Sequence, residues 1–167
     1  LKAARADMYE IRPAKPYTKE DLDYRNRQSR SVAEMGNPAF REKLGGKPVD
    51  IKKYDVIYMG FPIWANKAPS IIYSFLESQD FKGKTIIPFA TSGSSPIDNS
   101  VNQLKTAYPS FTFKAGKRMN NATDEDIKAF VAKGFAREKL ELLTARKRIF
   151  LVRHGETRQH EEPMFIG

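Results

Sequence analysis

Trp64 is the only tryptophan in the chain, and it stands in the run YDVIYMGFPIWANKAP at residues 54–69. An indole offers a flat apolar face, which suits a flat ring. Pro62, Ile63, Ala65 and Asn66 share its short segment, PIWAN. A second run, Thr91, Ser92, Gly93, Ser94 and Ser95, sets backbone N–H groups beside glycine and serine hydroxyls. Such donors match the carbonyls and ring nitrogens of a polar heterocycle. Their small side chains let the backbone come close to a ligand. Each run alone is a weak signal; together, at the ends of consecutive apolar strands, they point to one binding site. Near the other end of the chain stand Arg153 and His154, in RHGET.

These residues must be held by strands and helices. Residues 55–61 are almost wholly apolar, without the alternation of a strand with one wet face, so they predict a parallel strand covered on both sides. Gly60 and Pro62 mark its end, and Pro69 suits the start of a helix. Residues 69–79 place Ile71, Ile72, Phe75 and Leu76 on one helical face. Residues 84–90 predict a second buried strand, in which Pro88 is tolerable only near the strand end or at a bulge. A helix with Val101, Leu104 and Tyr108 follows, then a strand at 111–115. Thr123 and Asp126 form a helix-start pattern, and Ile127, Phe130, Val131 and Phe135 stripe a helix that continues through Leu143. Residues 148–152 predict an apolar strand. Upstream, residues 1–6 read as the end of a helix and residues 8–12 as a strand. Thr18 and Asp21 read as a helix start. Residues 24–46 are polar and aperiodic, a long excursion of the functional kind with at most short helices. Alternating strands and helices predict an α/β fold with a parallel sheet between helical layers.

Composition narrows the function. With 167 residues, one domain is expected. There is no cysteine, and two histidines cannot supply a histidine-rich metal site, so no metal is expected. No apolar run reaches the ~18 residues of a membrane span. The first residues show neither a signal-peptide pattern nor an initiator Met and resemble mid-helix sequence, so a cut or rearranged chain in the cytoplasm is expected. The net charge of +9 is spread along the chain without interleaved aromatics, which argues against nucleic acid.

The segment YDVIYMGFPIWANKAPSIIYSFLESQDFKGKTIIPFATSGSSPIDNSVNQLK resembles the flavodoxin family, in particular its short-chain branch. YEIRPAKPYTKEDLDYRNRQSRSVAEM and TFKAGKRMN are similar to the same branch, so the resemblance covers about residues 1 to 135. It implies a three-layer flavodoxin-like sandwich with strand order 2-1-3-4-5 and FMN at the switch between strands one and three, as flavodoxins have. It implies that residues 62–66 lie against the isoalloxazine ring, with Trp64 beside it, and that residues 91–95 contact the pyrimidine edge. Family members often carry a second aromatic where this chain has Ala65. The function implied is electron transfer by an FMN-binding domain, with an acidic redox protein as the partner that +9 favours. The family's first strand and its Thr/Ser-rich phosphate loop have no counterpart in the expected order.

The tail, RIFLVRHGETRQHEEPMFIG, resembles the opening of the histidine phosphatase superfamily. There the histidine takes a phosphoryl group and the arginine binds it, which would give His154 and Arg153 catalytic roles. That resemblance covers about twenty residues, and His160 is too near in sequence to act as the distant second histidine. Division at 145 would leave a flavodoxin-like unit, 1–145, and a tail, 146–167. Residues 148–152 are expected to fill the empty slot of strand one, as in a circular permutation, with RHGET where the phosphate loop belongs. The competing expectations are a phosphatase fragment fused to a flavodoxin-like unit and a degenerate fold that binds no flavin.

Overall fold

The structure, a computed structural model, describes residues 7–136 and 149–154. In chain order its elements are β1 (Asp7–Pro13), α1 (Arg30–Gly36), β2 (Leu44–Gly45), β3 (Val56–Pro62), α2 (Ser70–Glu77), β4 (Thr85–Thr91), α3 (Asp98–Ala107), β5 (Thr112–Phe113), β6 (Lys117–Arg118), α4 (Asp124–Ala136) and β7 (Ile149–His154). One sheet runs β2-β1-β7-β3-β4-β5, with β6 also on β4. All neighbours are parallel except β1 and β2.

β7 stands in the middle. Met8, Leu151 and Tyr58 lie side by side across β1, β7 and β3, and the pairing runs from Asp7 to Ile11 on one flank and Val56 to Gly60 on the other. Counting β7 as the first strand turns the observed order into 2-1-3-4-5, so the slot expectation holds. The strand runs longer than expected, and Arg153 and His154 belong to it rather than to a loop. The physical reason is pairing: Arg153 still has Glu10 and Gly60 beside it, and His154 still has Ile11.

β3 carries no charge, and every residue but Pro62 is buried, as a strand covered on both faces requires. Its two-residue period splits the core. Ile57, Met59 and Phe61 face the larger cluster, which takes Ile71, Ile72, Phe75 and Leu76 from α2 and Val101 and Leu104 from α3. Val56 and Tyr58 face the smaller one, with Ile87 and Phe89 of β4 and Phe130 and Val131 of α4. Helices thus cover both faces, giving the three layers. Gly60 pairs with Phe89, and a Cβ on Gly60 would lie 2.3 Å from that ring. Glycine is what lets the aromatic ring fold over the strand.

Several expectations shift. Pro88 sits mid-strand, opposite Met59. Ile86 O accepts from Lys114 N–H and Ala90 O from Met119 N–H, so alternate residues, Pro88 among them, face the edge strand. That edge is broken there: β4 goes from Ile86 to Phe89 while its partner goes from Phe113 to Lys117, one residue more. The bulge is in the neighbour, where no acceptor requires a proline N–H. The expected strand at 111–115 is accordingly two short pieces, β5 and β6. Thr18 and Asp21 bond reciprocally, Asp21 N–H to Thr18 Oγ1 at 3.1 Å and Thr18 N–H to Asp21 Oδ2 at 3.0 Å, yet they close a turn and no helix follows. The same box at Thr123 and Asp126 does start α4. The expected helix at 1–6 and the stretch of the last helix through Leu143 lie outside the described residues.

Candidate functional site at the carboxyl edge of the sheet

The chain leaves β3 and folds back at once. Trp64 N–H donates to Lys67 O at 3.0 Å and Lys67 N–H to Trp64 O at 2.9 Å. Between them Ala65 and Asn66 both have positive φ, 46° and 63°. This is the pattern of a two-residue type I′ turn, which usually takes asparagine and glycine. Alanine in the left-handed region costs roughly 1–2 kcal/mol. The turn is held from α3: Asn66 O accepts from Asn99 Nδ2 at 2.9 Å and from Ser100 Oγ at 3.3 Å. The result is a half-buried Trp64 at the end of the central strands, with Ala65 and Asn66 exposed beyond it. Ile63 points the other way, into the core, at 8% exposure.

The loop after β4 is pinned by residues the sequence did not single out. Asn120 holds Ser92 at both backbone atoms: Ser92 N–H donates to Asn120 Oδ1 at 3.1 Å, and Asn120 Nδ2 donates to Ser92 O at 2.5 Å. Arg118 donates to Ser94 O at 3.1 Å, and Ser92 Oγ to Ser95 O at 2.5 Å. Among the described residues, nothing accepts a hydrogen bond from the amides of Gly93, Ser94 or Ser95. The two loops touch: Ile63 N–H donates to Thr91 O at 2.8 Å. PIWAN and TSGSS are therefore one unit, with an indole on one side and unengaged amides on the other.

Behind Trp64 lies a buried polar cluster that the sequence showed only as an aperiodic excursion. Arg30 donates from Nε to Glu34 Oε1 at 2.9 Å, pairs with Glu42 Oε2 at 2.8 Å and donates to Lys15 O at 2.9 Å. Its guanidinium lies 4.0 Å from the centre of the Tyr17 ring. Tyr17 Oη donates to Glu34 Oε2 at 2.6 Å, and Ser70 Oγ reaches the same oxygen at 3.3 Å. Glu34 and Glu42 are buried. Burial holds the Glu34 carboxyl above its usual range, and Glu42 adds to this, against the pull of the Tyr17 hydrogen bond and of Arg30. Burial, then the Glu34 contact, pushes the Tyr17 hydroxyl up as well, so it stays a donor. The readable signal was the i,i+4 pair of Arg30 and Glu34, ordinarily a surface feature.

β7 brings the backbone of Arg153 and His154 to the same edge of the sheet, between β1 and β3. Gly155, Glu156, Thr157 and His160 lie outside the described residues. A cavity of about 450 Å³ lies elsewhere, between α1, α2 and α3, lined by Arg41, Lys67, Tyr73, Asn102 and Thr106 among others; neither Trp64 nor the TSGSS run lines it. Among the described residues, no helix is long and apolar enough to cross a membrane.

A doubly wound sheet with a shared loop pair at its strand ends defines an α/β protein of the kind that binds ligands at a topological switch point. A flavodoxin family model matches residues 1–134, and the chain belongs to the flavodoxin family. Two solved structures, each described as a "putative flavoprotein", are similar to it. One, from Bacteroides uniformis, is 47% identical, with 78% of this chain and 84% of that chain covered and a TM-score of 0.76. The other, from Bacteroides eggerthii, is 43% identical, with 81% and 83% covered and a TM-score of 0.74. No curated protein matches the chain.

Proposed function

We propose that this chain binds FMN at the paired loops and serves as an electron-transfer domain. The observation that carries the reading is the bond from Ile63 N–H to Thr91 O, which makes one notch of two strand ends, with Trp64 at its flank. The chain's donor set fits a flavin. The indole offers a face to the apolar ring system. The amides of Gly93, Ser94 and Ser95 suit the carbonyl-rich pyrimidine edge. Membership of the flavodoxin family and the description of both similar structures as putative flavoproteins support a flavin over other planar ligands. When bound, the flavin supplies the redox chemistry.

The residues of this chain orient and insulate. The Ala65–Asn66 turn fixes where the indole stands, and Asn120 fixes where the serine amides point. The end of β7, at Arg153 and His154, lies at the switch point, where the phosphate of FMN is bound in this reading. The net charge of +9 favours an acidic redox protein as partner.

FMN titration followed by quenching of flavin fluorescence tests the proposal. The intact chain is expected to quench saturably. Trp64→Ala is expected to weaken binding about tenfold, the equivalent of ~1.4 kcal/mol of ring contact. A chain that leaves flavin fluorescence unchanged is a degenerate fold, and the proposal fails.

A further inference from the structure

We infer that Tyr17 is a positioning residue: clamped by Glu34 and Arg30, its ring meets the Trp64 indole edge to face and fixes it in the orientation a planar ligand meets. The inference rests on the flavin reading for the identity of that ligand, but its structural half concerns this chain alone.

The geometry is direct. The Tyr17 and Trp64 rings meet edge to face, with centroids 5.4 Å apart and planes at 82°. Edge-to-face contact is a preferred aromatic arrangement, because the positive ring edge meets the negative face. Tyr17 cannot turn away easily. Its hydroxyl is bonded to Glu34 at 2.6 Å, and the Arg30 guanidinium lies over its ring, 4.0 Å from the centroid. Arg30 is in turn held by Glu34 and Glu42. Glu34 also accepts from Ser70, the first residue of α2, just past the loop that bears Trp64. One buried carboxylate thus grips both sides of the PIWAN loop, through Tyr17 at the indole and through Ser70 at the loop's exit.

This gives residues 14–43, which take in most of the excursion expected at 24–46, a task. They have little apolar core of their own, yet they carry Tyr17, Arg30, Glu34 and Glu42 to one point behind the strand ends. The Tyr17 contact restricts the rotamers open to a half-buried indole on a two-residue turn. Preorganising it lowers the entropy lost when a ligand binds.

Trp64, being the only tryptophan, reports on itself. In the flavin-free chain, Tyr17→Leu is expected to weaken the tryptophan band of the near-ultraviolet circular dichroism and to raise acrylamide quenching, with far-ultraviolet dichroism retained. FMN affinity is expected to fall about fivefold. A folded Tyr17→Leu chain with wild-type Trp64 signals overturns the inference. Should Tyr17→Leu not fold, Tyr17→Phe keeps the ring and removes only the bond to Glu34. It is expected to weaken the same band, and an unchanged band overturns the inference. If the wild-type chain takes no FMN, the flavin reading falls, while the Trp64 signals still decide whether Tyr17 positions the indole.

Discussion

Replacing Leu151 with proline is expected to destroy cooperative folding. Leu151 lies in β7 with Met8 on one side and Tyr58 on the other. A backbone N–H in a central strand points to one neighbour or the other, so proline removes a ladder bond whichever way that group faces. The loss extends further than one bond. Among the described strands, β7 alone pairs the β1–β2 side of the sheet with the β3–β4 side. Without it, two strand flanks keep buried groups unpaired, each costing about 1–3 kcal/mol. A domain stability of about 5–15 kcal/mol does not survive many of these. The urea midpoint measures the effect. A Leu151→Pro chain with a wild-type midpoint would contradict the central place of β7.

Arg30→Ala is the second large effect, for electrostatic reasons. It removes the cation between two buried carboxylates, Glu34 and Glu42, whose side chains are 4% and 7% exposed. Breaking such a cluster from one side costs about 3–5 kcal/mol, because the remaining charges stay buried without a counter-charge. The change also strips the cation from the Tyr17 ring, so the Trp64 band should weaken together with stability. The deficit should depend on pH. Glu34 titrates above its unfolded value of 4.5 in the native chain, first because of burial. The native state therefore holds this proton more readily than the unfolded chain, and this group's contribution falls as pH rises through that window. Removing Arg30 removes one of the forces that lower the Glu34 value, so the window widens upward. The melting temperature of Arg30→Ala is expected to approach wild type as pH falls from neutral through that window. A deficit that is constant with pH would mean that the carboxylates are not what the cation holds in place.

What could be read from the chain was the part written in apolar residues. β3 announces itself by lacking charge, and α2 by placing Ile71, Ile72, Phe75 and Leu76 on one face, all of them buried. The apolar run before Arg153, together with a missing strand in the expected order, was enough to place β7. Polar construction left no such trace. Arg30 gathers Tyr17, Glu34 and Glu42 through space, and charges carry no period that separates a buried cluster from a wet surface. Asn120 meets Ser92 only because β6 brings the chain back beside β4. Thr18 and Asp21 show the opposite failure: the local bonds form as read, but no apolar stripe follows to extend them into a helix. Of the two settings expected for Pro88, the strand end fails and the bulge stands, but in the neighbouring strand, which the local sequence does not show.

Nitrogen-labelled protein titrated with FMN and followed by amide and indole NMR puts the notch itself to the test. The Trp64 indole N–H and the amides of Gly93, Ser94 and Ser95 are expected to shift together and to saturate with one flavin per chain. Shifts confined to Asn102, Thr106 and the cavity between α1, α2 and α3, with Trp64 and the serine loop unmoved, would contradict it.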